Sequence, residues 1–220
     1  MLAFRRRAAQ PDSTGSRHDW KRSFARWETS DVSPQFDPLV IRAMARWPDV
    51  PAVFGWLRLD PRGNWLLIDR GQPGFSEQAH GTGSPITNPA IIDFIGRNYA
   101  HDSQGRWFWQ NGPQRVFVRL DRAPWVIRVI GSGPGARLVT HTGVAFEAVR
   151  RAAFGPAGEI LLNSDQGCGA VHDLDACCLQ LEDAGDSETP VLVLGEARLP
   201  VQRCTDPERE FGFVTEPAAP

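Results

Sequence analysis

Two strings, LDPRGNWLL (59–67) and HDSQGRWFW (101–109), carry the same local pattern. Asp60 and Asp102 each stand three residues before a glycine, Gly63 and Gly105, and Trp65 and Trp107 stand two residues after it. The physical need is local. An Asp carboxylate accepts hydrogen bonds from the N–H groups of a tight turn, a glycine there adopts positive φ at no steric cost, and the large apolar residue that follows enters a core. A third string, FGPAGEILL (154–162), keeps the glycine, the polar residue and the apolar run but lacks the Asp. The interval from Gly63 to Gly105 differs from that between Gly105 and Gly158, so the pattern is a weak internal repeat rather than a solenoid.

Such turns imply hairpins, and the composition agrees. Among 220 residues, 21 Gly and 18 Pro favour many turns and short elements, while 8 Trp and 12 Phe supply large apolar area for a β-rich core. Alternating runs bounded by turn residues read as strands: AVFGWLRL with NWLLI, RWFWQ with QRVFVRL, APWVIRVI, RLVTH with VAFEAV, GEILLN, and PVLVLG with ARLPVQRC. Three segments read as helices. FDPLVIRAMARW begins with Asp37 as cap and Pro38 in the first turn, with Val40, Met44 and Trp47 on one face. TNPAIIDFIGRNY uses Asn88 and Pro89 in the same way, with Ile92, Ile95 and Tyr99 on one face. DLDACCLQLEDAG starts at Asp173, places Leu174, Cys177, Cys178 and Leu181 at helical spacing, and stops at Gly185. The expected fold class is therefore α+β, with short antiparallel β-hairpins packed with about three helices.

The formal net charge of −2 conceals an uneven distribution. Residues 1–30 are basic and residues 180–220 acidic, which predicts solvated ends. The expected organisation is a disordered basic extension (1–33), a single α+β domain (34–205) and an acidic, Pro-rich tail (206–220). Within the extension, Trp20, Phe24 and Trp27 have the spacing of a short amphipathic helix. No run reaches the ~18 apolar residues of a membrane span, and the start has no apolar stretch behind its arginines. A cytoplasmic location is the expectation, and it agrees with reduced thiols at Cys168, Cys177, Cys178 and Cys204.

The stretches RWPDVPAVFGWLRLDPRGNWLL and NPAIIDFIGRNYAHDSQGRWFWQNGPQRVFVRLDRAPWVI together resemble a proteobacterial family that is catalogued as a conserved domain of unknown function. Its marks are RWP-x-VP, GWL-x-LD-x-RG-x-W, DFI-x-RNY and GRWF-x-QNGPQRV, and the match covers about residues 36–150. The order of elements is similar to a second family. That family has a G-x-W segment, a polar turn, a helix, a D-x-x-G-(R/K)-(W/Y) strand, and a strand pair that starts with an acidic residue, Ala, Pro and Phe. DRAPW (121–125) stands in the place of that start, and GEILLNSDQGCGAVHDLDACCLQL fills the later strand–helix unit. The second resemblance implies an α+β fold of repeated motifs and a regulatory or signalling role. Neither family brings catalytic residues to carry over.

The densest chemistry lies in WFWQNGPQR. Trp107, Trp109, Asn111, Gln114 and Arg115 combine aromatic, amide and guanidinium groups around one turn, which suits a small anionic or planar ligand. The competing reading makes both tryptophans core, Asn111 a turn residue and Arg115 solvated. In the next strand Arg115, Phe117 and Arg119 share a face, and Arg128 is placed to join them, a pattern that single-stranded nucleic acid uses. The five histidines are scattered without metal-ligand spacing, Cys168 sits in no nucleophile turn, and GSGPGARL lacks the Lys and helix of a phosphate loop. Asp60 and Asp102 fit turn roles better than acid–base roles. The expectation is a non-catalytic binding or regulatory module for a small molecule or a protein partner. It has no catalytic residue, metal or cofactor assigned, no membrane, and nucleic acid disfavoured. The alternatives are an enzyme of unknown class with a cleft beside the hairpin, and weak nucleic-acid binding through Arg115, Arg119 and Arg128.

Overall fold

The computed structural model describes residues 36–183 and 189–219, all within the unit Pro34–Pro220. The expected extension 1–33, with Trp20, Phe24 and Trp27, and the helix stop at Gly185 lie outside the described residues.

Among the described residues, fourteen strands form two mixed sheets. The first contains β1 (Val53–Leu59), β2 (Trp65–Leu67), β3 (Ser84–Pro85), β4 (Tyr99–His101), β5 (Trp107–Asn111) and β6 (Gln114–Leu120), in the order β3-β2-β1-β6-β5-β4. The second contains β7 (Trp125–Ile130), β8 (Arg137–Thr140), β9 (Arg151–Phe154), β10 (Ile160–Ser164), β11 (Gly167–Val171), β12 (Gln180–Glu182), β13 (Val191–Leu194) and β14 (Ala197–Arg203). Its order is β12-β13-β14-β9-β10-β11-β7-β8. The helices are short: α1 (Pro38–Arg46), α2 (Glu77–His80), α3 (Pro89–Arg97) and α4 (Pro207–Phe211).

The expected α+β class is thus corrected to a mostly β fold of two large sheets. Three expected hairpins form, β1–β2, β5–β6 and β13–β14, whereas VAFEAV forms no strand and meets β8 only at the bridge Val139↔Ala145. Parallel pairs join the hairpins: β1 with β6, β7 with β11, and β9 with β14. Parallel partners are distant in sequence, and no turn signal announces them. The expected third helix is also replaced. Asp173–Cys178 forms a 3-10 turn, after which Gln180–Glu182 pairs with β13. Leu174 is 68% exposed, so the helical spacing of its apolar residues marks no buried stripe. Leu179, just before β12, is buried instead.

The repeated turns have one geometry. Asp60 Oδ1 accepts from the N–H groups of Arg62 and Asn64 at 2.8 Å each, and Asp102 Oδ1 accepts from those of Gln104 and Arg106 at 3.0 Å each. Gly63 and Gly105 have φ of +83° and +73°. The third turn is built alike without the Asp: Gly158 has φ +83°, and Glu159 Oε2 accepts from Ala157 N at 2.9 Å. Burial pushes the Asp102 carboxyl up, but hydrogen bonds from Arg106 and the turn amides outweigh this and hold it below the usual range.

Trp65 and Trp107 are 2% and 5% exposed, and both pack on Tyr99, at ring distances of 5.1 and 4.8 Å. Trp125 of the second sheet meets Trp107 at 5.0 Å and Tyr99 at 5.3 Å. Leu57, Leu59 and Val118 of one sheet and Ala153, Leu161 and Ala170 of the other complete this shared core. The opposite face of the second sheet buries a further cluster around Ile127, Leu162 and Leu192.

Asn98, fully buried, ties α3 to the start of α1. Its Oδ1 accepts from Asp37 N at 2.9 Å, and its Nδ2 donates to Phe94 O and Asp37 Oδ2. Asp37 does not cap α1 with its side chain. Its carboxylate serves Arg97 and Asn98 instead, and those hydrogen bonds lower its pKa. Asn88 does cap α3, by accepting from Ala90 N at 2.9 Å.

Residues 206–219 do not form the solvated tail that their acidity suggests. Phe213 is buried, Val214 N donates to Gly105 O at 3.0 Å, and Leu120 N donates to Thr215 O at 2.8 Å. A Cβ on Gly105 would lie 2.3 Å from Gly212 O, whereas a Cβ on Gly158 meets nothing within 4 Å. Gly158→Ala therefore costs only the left-handed backbone, about 1 kcal/mol. Gly105→Ala adds a backbone clash and costs about 2–4 kcal/mol. Urea denaturation of the two variants checks this; equal losses would mean that the 213–215 segment does not lie against the turn.

Candidate functional site

The β5–β6 hairpin does not gather its five candidate residues at one place. Trp107 and Trp109 alternate with Phe108, and the register Trp109↔Val116 and Asn111↔Gln114 puts Asn111 and Gln114 on the tryptophan face. Trp107 belongs to the core. Trp109 meets Phe94 edge-on at 5.9 Å, and its indole N–H is sealed from solvent without a partner among the described residues. Asn111 is exposed at the tip, and Gln114 Nε2 donates to Pro51 O at 3.2 Å. Arg115 lies on the other face, its guanidinium 4.7 Å from the Phe108 ring.

That other face of the first sheet is more coherent. Ala100, Phe108, Phe117 and Phe54 form a row across β4, β5, β6 and β1. Phe54 stacks flat on Phe117 at 4.5 Å and 5°, Phe117 meets Phe108 at 5.7 Å, and Phe36 covers Phe108 at 6.3 Å. Arg106 lies over Phe117 at 4.8 Å and is held by Asp102 at 2.7 Å. Arg115 has no ion-pair partner among the described residues.

At the Phe54 end this row opens into a groove of about 350 Å³, lined by Phe54, Gly55, Arg70, Glu77, Arg119 and Glu216 among others. A β-bulge makes the groove. The pairing of β1 with β6 shifts between Val53 and Leu57, and Gly55 adopts φ +74° there. The left-handed φ favours glycine here; a Cβ would lie 2.3 Å from Arg70 Nη1, the movable end of an exposed side chain that donates to Gly55 O at 3.4 Å. Arg119 sits between Glu77 at 3.6 Å and Glu216 at 3.0 Å, and Arg70 faces Glu77 at 3.5 Å. Two guanidiniums and two carboxylates thus surround an aromatic wall.

Sequence reasoning found Arg115, Phe117 and Arg119 as one face but missed Gly55, Arg70, Glu77 and Glu216. The available signal was Gly55 inside the strand pattern AVFGWLRL, since an interior glycine marks a bulge or a close approach. Arg128 does not join this face. It lies on β7 of the second sheet, bonded to Asp175 at 2.6 Å, and this bond holds the Asp175 carboxyl below the usual range.

A smaller groove of about 200 Å³ runs along β9 and β14 and includes Arg150, Arg151, Gln202, Arg203 and Glu210. The pairs Val201↔Ala152 and Arg203↔Phe154 put Arg203 on the opposite side of the strands from Arg151, so its arginines do not form one cradle. Arg151 is held by Glu210 at 3.2 Å. Cys168 is buried, which pushes its thiol up and keeps it protonated, and Cys204 is pushed up to about 11 by burial and by Glu210. Among the described residues no group of three or more His, Cys, Asp and Glu is placed to hold a metal, and no helix is long and apolar enough to cross a membrane.

The fold and this groove define a two-sheet, mostly β protein with a bulge-formed surface groove. A family model, DUF2944, described as "Protein of unknown function (DUF2946)", matches residues 36–218, and the chain belongs to that family. Among solved structures, a DUF1285 family protein from Silicibacter pomeroyi DSS-3 is similar at 20% identity, covering 80% of this chain and 100% of its own, with a TM-score of 0.45. Another from Shewanella baltica OS155 is similar at 12% identity, covering 54% of this chain and 85% of its own, with a TM-score of 0.37. Comparison with curated proteins finds no match.

Proposed function

We propose that the protein is a non-catalytic binding or regulatory module whose recognition surface is the groove at Phe54, Arg70, Glu77, Arg119 and Glu216. The observation that carries this reading is the bulge at Gly55. It interrupts the β1–β6 ladder where a void opens beside an aromatic wall and four charged groups. Bulges are over-represented beside functional sites, where they re-aim side chains, as well as at sheet edges. The volume falls within the range of small-ligand sites. The hairpin tip at Asn111 and Gln114 is the rival surface, with Arg115 on the reverse of the same hairpin.

A thermal-shift screen over metabolites, nucleotides and peptides tests the choice. A ligand at 100 times its Kd stabilises by about 2.7 kcal/mol, which for a domain of this size raises Tm by roughly 5–10 °C. The shift is expected to disappear in Arg119→Gln and to persist in an Asn111→Ala, Gln114→Ala double variant. The reverse pattern would move recognition to the hairpin tip.

A further inference from the structure

We infer that the groove beside Phe54 takes a small zwitterion, a free α-amino acid, through its paired guanidiniums and carboxylates. This rests on the recognition reading above and names the ligand class for the same site. The charged lining is balanced: Arg70 and Arg119 face Glu77 and Glu216. Arg70, Glu77 and Glu216 are exposed and Arg119 is half-buried, and their contacts are 3.0 to 3.6 Å long. Solvated pairs of this kind contribute little to stability, so exchanging a partner costs little.

Ligand charge then decides the outcome. A lone anion that engages Arg119 displaces Glu77 and Glu216; Glu77 keeps Arg70, but Glu216 is left without a cation. A lone cation that engages Glu77 and Glu216 strips both arginines. A molecule with an ammonium and a carboxylate a few ångströms apart inserts into the alternation and leaves every charge paired. Phe54 is fixed by its flat stack on Phe117, so it offers a rigid apolar face for the ligand's side chain at little entropic cost. Glycine at position 55 keeps Arg70 against the backbone of β1, at the groove's edge.

The test uses the full chain and the twenty common L-amino acids in a thermal-shift panel. Isothermal titration of the best of them follows, alongside its N-acetyl and C-amide derivatives, each of which removes one charge. The expected result is binding of at least one amino acid, weakened at least tenfold by either cap. Arg119→Gln weakens binding by a similar factor, and in a Glu77→Gln, Glu216→Gln double variant the N-acetyl derivative binds no more weakly than the free amino acid, because the ammonium has lost its partners. An N-acetyl or C-amide derivative that binds as tightly as the free amino acid overturns the zwitterion. If no amino acid binds but another screened molecule does, with dependence on Arg119, the zwitterion fails and the recognition site stands. If no molecule binds with dependence on Arg119, both fail. Circular dichroism and Tm of each variant without ligand separate lost binding from lost folding.

Discussion

Replacing Trp107 with alanine lowers the unfolding free energy by about 3–5 kcal/mol, and Trp65→Ala does the same. Each indole is almost wholly buried, each enters the interior immediately after an Asp–Gly turn, and each lies against Tyr99. Truncation removes a large transfer term and leaves a void that rigid neighbours do not fill. Around Trp107 those neighbours are Trp125 at 5.0 Å and the Gly167 backbone, where even a Cβ would sit 3.4 Å from the indole. Tyr99 cannot move in to compensate without breaking its hydroxyl bond to Pro124 O at 3.2 Å. Urea denaturation gives the loss directly. A Trp107→Ala variant of nearly parental stability that lost ligand binding would return the hairpin to the status of a site.

Acid destabilises the protein well before the carboxylates titrate, because His141 is folded in its neutral form. Its Nδ1 accepts from Val126 N at 3.3 Å, which assigns the proton to Nε2. That nitrogen is sealed from solvent without a partner among the described residues, with Trp65 and Trp125 ring centres 5.2 and 5.8 Å from the imidazole. Burial pushes the imidazole down to about 3, and Asp60 pulls weakly the other way. The unfolded chain binds this proton below about pH 6.5, whereas the native protein does so only near pH 3. Stability is thus nearly complete above pH 6.5 and falls as pH drops through the window, by roughly 2 kcal/mol at pH 5 and about 5 kcal/mol in all. The depressed carboxyls of Asp37, Asp102 and Asp175 act in the same direction but begin only near pH 4. His141→Gln keeps an acceptor for Val126 and does not titrate. Its stability should therefore change by less than about 0.5 kcal/mol between pH 7 and pH 5. Equal losses in parent and variant would contradict a neutral, buried His141.

The turns were legible in the sequence because everything that makes them lies within five residues. Asp60 and Asp102 bond amides two and four positions onward, and Gly63 and Gly105 take the φ that the closure demands. The β5–β6 hairpin and the capped start of α3 are local in the same sense. The sheets were not legible. Leu57 pairs with Val118 and Ala170 with Val126, and no property of these aliphatic residues specifies the partner or the parallel direction. The acidic C-terminal composition misled because charge counts ignore Phe213, one apolar residue that anchors the whole segment against Gly105. The groove was half visible. Arg115, Phe117 and Arg119 share a face by alternation alone, but Arg70, Glu77 and Glu216 reach Arg119 only through the folded chain.

The central claim is that one turn motif, used twice, drives two indoles onto a single tyrosine, so that the aromatic hairpin is scaffold. A double-mutant cycle of Trp65→Phe and Trp107→Phe, read by urea denaturation, tests this most directly. Coupling through Tyr99 predicts losses that are non-additive by more than about 0.5 kcal/mol. Strictly additive losses, each under about 0.5 kcal/mol, would mean that the two side chains do not share an interior.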